Sequence, residues 1–242
     1  MDRVFTDFRY RNADYRISCE KPEIMIAAVK AARQSLEAYI KVRPEFASSY
    51  VPIDEDPEAP EIARRMLAAS HAAGTGPMAA VAGAICWAAV NAALDAGCRE
   101  AVIDNGGDVF AASKEELVIG LFPGSQYGAI GIKVMPEEMP IAACSSSSKM
   151  GHSDSFGDCD LACVISHDPF FADAGATGAA NRVSTRDDIP RALEYLSSIK
   201  EIQSALIFQE GKIGKVGPVP GLVKLAPKTI KHKIVKAPGW VI

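Results

Sequence analysis

Cys144-Ser145-Ser146-Ser147-Ser148-Lys149-Met150-Gly151-His152-Ser153-Asp154-Ser155-Phe156-Gly157, with Ala172-Asp173-Ala174-Gly175-Ala176-Thr177-Gly178-Ala179-Ala180-Asn181 after it, carries most of what this sequence says about fold and chemistry. Four consecutive hydroxyls, a lysine and a histidine between glycines are poor core material, because every buried hydroxyl needs a hydrogen-bond partner. A polar loop over a cleft meets that need with water, backbone amides or ligand oxygens; a solvated serine-rich loop is the plain alternative. In the second stretch Asp173 and Thr177 stand four apart, on one face of a helix. A carboxylate and a hydroxyl so placed offer two hard oxygens to one cation, the ligand type that magnesium favours. An aspartate drawn to a helix N-terminus and a packing threonine would give the same spacing.

Upstream, residues 101–104 read as a strand running into Asn105-Gly106-Gly107-Asp108, a tight turn whose amides can cradle phosphate or simply join two strands. Residues 118–122, 129–134, 140–144 and 161–166 are further strand candidates. Helices are expected over 169–183 and 188–199, with a hairpin of 205–209 and 212–216 after them. At the other end, 5–11 and 15–19 form a hairpin, and Pro22 opens a helix with an apolar stripe of Ile24, Ile26, Ala27, Ala31, Leu36, Tyr39 and Ile40. Pro44, Pro52, Pro57 and Pro60 mark a loop, a helix follows over 58–73, and Gly74-Thr75-Gly76-Pro77 leads into an alanine-rich helix ending near Gly97. This is the pattern of one α/β (α+β) domain over 1–242, a mixed sheet with helices packed on it in two layers.

Composition narrows the function. The 242 residues carry a net charge of −4, with 48% apolar and 23% charged residues, so a large core is affordable and nucleic acid is not the expected partner. Lys228, Lys231, Lys233 and Lys236 read as a solvated tail or terminal strand. The first residues lack the pattern of a signal peptide, and the six cysteines form no CxxC pair, which points to reduced thiols and a cytoplasmic protein. Gly76–Leu94 is uncharged and long enough to span a bilayer, but its alanine content and Asn91 favour a buried core helix, with no membrane partner. The oligomeric state is open, a homo-oligomer included. Cys144, with Cys159 and Cys163 nearby, allows a sulfur-handling reading, against the commoner buried structural cysteine. A non-catalytic binding protein is the remaining alternative. Ser146-x-x-Lys149 matches a pattern of serine enzymes that recognise penicillin, but the accompanying motifs are wrongly spaced.

Taken in order, Gly83-Ala84-Ile85 in the alanine-rich helix, Asn105-Gly106-Gly107-Asp108, the serine/histidine loop and Ala172-Asp173-Ala174-x-Ala176-Thr177 resemble the ApbE-like superfamily, and more narrowly its archaeal and bacterial branch, UPF0280. The characterised members move FMN from FAD onto protein threonines with magnesium. The resemblance implies an ApbE-like fold with a ligand cleft between sheet and helices, and magnesium on Asp173 and Thr177. It sets His152 beside a flavin diphosphate, as ligand contact or general acid/base, and Gly106 and Gly107 at the family's paired glycines. Asn105, Ser145, Ser146 and Lys149 would then hold the oxygens of a small anionic molecule, FAD or another nucleotide. Two departures imply a substrate other than that of the transferases: Ile85-Cys86-Trp87-Ala88 lacks their lysine, and Ser155 stands where they carry aspartate.

Overall fold

Strand after strand in the middle of this chain is apolar at odd and even positions alike. The computed structural model, which describes residues 3–149 and 157–225, shows that the central sheet is covered on both faces. The chain runs β1 (Thr6–Tyr10), β2 (Ala13–Cys19), α1 (Pro22–Val42), α2 (Glu45–Ser48), α3 (Glu61–Ala73), a 3-10 turn at Pro77–Ala80, α4 (Val81–Asp95), β3 (Ala101–Asn105) and β4 (Asp108–Ala112). It continues through β5 (Leu117–Leu121), β6 (Ile130–Val134), β7 (Ile141–Ser146), β8 (Leu161–Ser166), α5 (Pro169–Ala180), α6 (Ile189–Ser197), β9 (Ser204–Gln209), β10 (Lys212–Val216) and β11 (Gly221–Lys224). The large sheet has the order β1-β2-β3-β4-β7-β8-β9-β10, antiparallel at every pairing. A smaller sheet, β11-β6-β5, stands apart from it.

Because strand side chains alternate between faces, each central strand serves two cores. Ile103, Phe110, Ala142, Cys144, Ala162, Val164, Ala205 and Ile207 pack with the helices. Their neighbours Val102, Val109, Ala111, Ile141, Ala143, Leu161, Cys163, Ile165, Leu206 and Phe208 pack under Leu117, Ile119, Leu121, Ile132 and Val134 of the small sheet. The architecture is therefore helices, large sheet, small sheet: three layers rather than the two expected. β4 and β11 also go beyond the strands expected from sequence.

The stripe of α1 needs a correction. Its buried residues are Met25, Val29, Ala32, Arg33, Leu36, Tyr39 and Ile40, at the alternating four- and three-residue steps of a helix face. Ala27 and Ala31 are exposed and Ile24 and Ile26 only half-buried; Ala28, Ala31 and Trp87 line an outer groove instead. Arg33 is admitted to the core because it donates to Tyr15 Oη at 3.2 Å and to Asn12 Oδ1 at 2.9 Å.

Pro77–Asp95, at 19 residues, has the length and apolarity of a membrane-crossing helix. Here it packs against α1, α5, β3 and β4, and the face so covered is apolar for that reason. Its close crossing with α5 rests on Gly83, where an added Cβ would lie 2.1 Å from the Pro169 carbonyl oxygen. At its far end Gly97 takes φ +81°; Cys98 N–H reaches Ala93 O and Gly97 N–H reaches Leu94 O, the paired bonds of a Schellman stop. These two glycines should fail differently. Gly97→Ala should cost about 1–2 kcal/mol through backbone conformation alone, since nothing lies within 4 Å of its Cβ position. Gly83→Ala should cost about 3 kcal/mol through overpacking against backbone. Urea denaturation of both variants checks this, and equal losses would contradict the close crossing.

Candidate functional site

Ala80 at the cap position of α4 has no side-chain acceptor to offer its first turn. Asp173, from inside α5, supplies one: its Oδ2 accepts the Gly83 N–H at 2.8 Å, and the Ala82 N–H also reaches the carboxylate. A carboxylate at a helix N-terminus is favourably placed. Even so, burial first, and then the charge of Asp108, push the Asp173 carboxyl well above its ordinary value, outweighing both N–H groups. Thr177 lies one turn further along α5 and is half-buried.

Asp108 opens β4 opposite Asn105. Gly106 and Gly107 between them adopt φ +70° and +106°, the two-residue hairpin turn that glycine permits at both positions. Gly107 N–H donates to Asp104 Oδ1 at 3.0 Å. Asn105 Nδ2 reaches Ala82 O at 3.5 Å, so the turn touches the first turn of α4. Asp108 Oδ1 accepts Ser145 N–H at 3.2 Å, the Cys144 thiol also bonds this carboxylate, and Cys86 Sγ donates to Asp108 O at 3.4 Å. Burial pushes the Asp108 carboxyl up to about 7, with the nearby Asp104 charge adding to the rise and the bonds from Ser145 and Cys144 opposing it.

The structure thus gathers Asp173, Asn105, the Gly106-Gly107 turn and the Ser145 backbone N–H around the start of α4, while the Ser145 side chain bonds Cys163 on the other face of the sheet. Ser145 and Ser146 are strand residues, paired with Cys163 and Ala162. Ser147 and Ser148 turn back on Cys159: Ser147 Oγ donates to its carbonyl at 3.5 Å, and Ser148 Oγ accepts its N–H at 3.2 Å. Lys149 goes elsewhere, to Asp160 Oδ1 at 2.7 Å. Asp160 also accepts from Tyr127 Oη at 2.7 Å, Glu210 N–H at 2.9 Å and Gln126 Nε2 at 3.2 Å. Burial works to raise that carboxyl, but the Lys149 ammonium and the other donors outweigh it and hold it below its usual value. His152 lies outside the described residues, as do Ser153, Asp154, Ser155 and the lysines at 228, 231, 233 and 236.

Sequence reasoning gives Asp108 and Cys86 no role, yet they form the floor of the site. The signal for Asp108 was a carboxylate between a glycine pair and an apolar run, Val109-Phe110-Ala111-Ala112; only the sheet order brings it towards Asp173. Both carboxyls are at least nine-tenths buried, and the charges that shift them are those of other carboxylates. A small divalent cation fits this donor set of hard carboxylate oxygens.

Raised carboxyl pKa values tie up protons in the folded state. Metal-free protein should therefore lose stability as pH rises from about 4, the unfolded value, to about 7 for Asp108. The slope should reach about 1.4 kcal/mol per pH unit for each such group. Denaturation in chelator across this window checks it, with Asp108→Asn flattening the curve; a stability that climbs with pH would contradict the geometry.

The "AbpE bacteria" family model matches residues 4–201. A UPF0280 protein of Methanocella arvoryzae is 37% identical over 225 residues, covering 92% of both chains. Another, from Methanothrix thermoacetophila, is 40% identical over 205 residues, covering 84% of this chain and 86% of that one. Among solved structures, the ApbE protein of Thermotoga maritima superposes with a TM-score of 0.54 at 15% identity, over 88% of this chain and 97% of that one. The apo flavinyl transferase ApbE of Pseudomonas stutzeri gives 0.51 at 10% identity, over 88% and 94%. At such identities the structures speak for the fold, an ApbE-like mixed α/β arrangement. With a family model covering most of its length and archaeal relatives at this level of identity, the chain belongs to the UPF0280 branch of the ApbE-like family.

Proposed function

We propose that this chain is an ApbE-like enzyme that binds a small anionic, nucleotide-like ligand, a flavin nucleotide such as FAD among them, through a divalent cation at the start of α4. The observation that carries the reading is the pair of buried carboxyls, Asp108 and Asp173. Asp173 and Thr177 would hold the cation, magnesium by the chemistry of the donors, with Asp108 as the neighbouring carboxylate. When bound, the cation would supply positive charge to phosphate oxygens. Asn105, the Gly106-Gly107 turn, Ser145 and Ser146 would orient the ligand. His152 keeps the part that the family resemblance gives it, an imidazole near a diphosphate and able to move a proton near neutral pH.

The stretch Ile85–Ala88, where the resemblance calls for lysine, supports a substrate other than that of the flavin transferases. Cys86 faces Asp108 from this stretch, so a neutral thiol occupies the floor where an ammonium would balance the carboxylates. The sulfur-handling alternative meets an obstacle in Cys144. Its thiol is 1% exposed, and burial, then the charges of Asp108 and Asp173, push its pKa well above the ordinary value. Reactive cysteines have the opposite properties, access and a lowered pKa.

Magnesium with FAD should raise Tm more than either alone. At a hundred times Kd, binding adds about 2.7 kcal/mol, or roughly 5–10 °C for a chain of this size. Asp173→Asn keeps an oxygen for Gly83 N–H while removing the charge; it should fold and lose the joint effect at least tenfold in affinity, whereas Cys144→Ser should retain it. Calorimetry showing unchanged magnesium and nucleotide affinity in Asp173→Asn would refute the assignment. Screening other nucleotides in the same assay, with mass spectrometry for a flavinylated acceptor, separates flavin transfer from a different substrate.

A further inference from the structure

The other end of α4 carries a second group of ligand-type side chains, about 20 Å from Gly83 at 1.5 Å per residue. Cys19 ends β2, Glu20 follows it, and Cys98 sits just past the Schellman stop of α4. One ligand atom from each, two sulfurs and a carboxylate oxygen, lies within 4.8 Å of the other two. The Cys98 thiol is hydrogen-bonded to that of Cys19. All six cysteines are free.

The backbone around the group is fixed from both sides. Cys98 is held by its N–H to Ala93 O, and Cys19 pairs with Ala101 across β2 and β3. The Glu20 carboxylate accepts Arg99 N–H at 3.1 Å and Glu100 N–H at 3.4 Å, which draws the two segments together and leaves lone pairs over. Its ion pair with Arg99 Nε, at 3.4 Å with the arginine 81% exposed, is of the weak, displaceable kind. Lys21 N–H points at Cys19 Sγ from 3.4 Å, and Lys21 Nζ binds Ala96 O at 2.7 Å, so a backbone dipole aims positive charge at the sulfur that a metal-bound thiolate would carry.

We propose that Cys19, Glu20 and Cys98 form a site for a thiophilic divalent cation, zinc in character, separate from the oxygen-lined site at the start of α4. Two thiolates and one carboxylate are a zinc donor set. Bonds of about 2.3 Å to sulfur and 2.0–2.2 Å to oxygen set ligand atoms some 3.5–3.8 Å apart, a spacing that small side-chain rotations reach from the present one. Both thiols lose their protons on binding. The fourth position opens on the exposed side, where Glu20 stands, and is left to water. The cation would pin the β2–α1 junction to the end of α4.

Cobalt(II) serves as the probe, because thiolate ligation gives it an intense absorption that oxygen ligation does not. Full-length, metal-free protein in a phosphine reductant should develop that absorption at a cobalt-to-chain ratio of about one and lose it on adding zinc. Cys98→Ser and Cys19→Ser should abolish it; Cys163→Ser and Asp173→Asn should not. Glu20→Gln, which keeps both thiols and the fold, should weaken cobalt binding at least tenfold, and circular dichroism confirms folding of each variant. The proposal is overturned if the wild type shows no thiolate absorption, if Cys98→Ser retains it, or if thiol counting finds Cys19 and Cys98 joined in a disulfide under the reductant.

Discussion

The N–H of Gly83 points from the first turn of α4 into the flank of α5, and it has to find an acceptor there, inside the protein. A buried amide left unpaired costs about 1–3 kcal/mol, and a buried lone carboxylate costs more. Asp173 answers both needs at once by accepting that N–H at 2.8 Å. The contact requires the helices to cross where no Cβ stands between them, which is the condition Gly83 meets against Pro169. Since α4 lies over β3 and β4 while α5 lies over β7 and β8, one polar contact sets how the two halves of the sheet carry their helices. It also leaves a carboxylate buried at a helix start, and the chemistry of the site begins there.

The opposite face of the sheet is organised by a second carboxylate. Asp160 opens the approach to β8 and gathers Tyr127 and Gln126 from the segment between β5 and β6, Glu210 from the turn between β9 and β10, and Lys149 from the serine stretch. Its amide is taken by Gln209 Oε1 at 2.8 Å. Charge-assisted bonds of this kind are the stronger ones in a protein, and here they hold the small sheet and the end of the serine stretch to the large sheet. Lys149 is thereby committed to architecture in this structure, while Ser145 gives its backbone N–H to Asp108 and its side chain to Cys163.

How much of this could be read in the sequence depends on range. Local signals located most elements: the proline at the start of α1, the glycines around Gly74–Pro77, and the apolar run of β8. In α1 the same local reading holds for Leu36, Tyr39 and Ile40 and misses the first half, because alanine marks a buried face and a groove wall equally well, and Ala31 belongs to the latter. β4 is hidden from such a reading, since its first residue is an aspartate that a turn would also claim. The three-layer arrangement is invisible locally: Ile141-Ala142-Ala143-Cys144 is apolar throughout, and nothing in that run says which residue meets helices and which meets a sheet. In the candidate site, Asp173 was legible as a candidate through the family pattern. Asp108 was not, because its approach to Asp173 is made by the antiparallel pairing of β3, β4 and β7 and by no feature of the residues beside it.

The sheet order also decides what kind of chemistry the site can support. Placing β4 next to β7 sets the Asp108 carboxylate beside Cys144, and placing α4 over β4 sets Cys86 on the backbone carbonyl of the same residue. Both thiols are then buried among negative charges, and burial followed by those charges raises their pKa values, which suppresses thiolate chemistry. The carboxylates themselves gain no lysine from α4, where Cys86 and Trp87 occupy the stretch. Two buried acids on which, among the described residues, no side-chain cation acts can be neutralised by protons or by a metal ion. Protons suffice for folding, but they would leave nothing to attract an anionic ligand. A divalent cation, as proposed, would satisfy both acids and still present positive charge to phosphate. The proposed chemistry of this site therefore follows from one arrangement of neighbours: acids facing each other beneath the start of a helix, with neutral sulfur where a basic group could have stood.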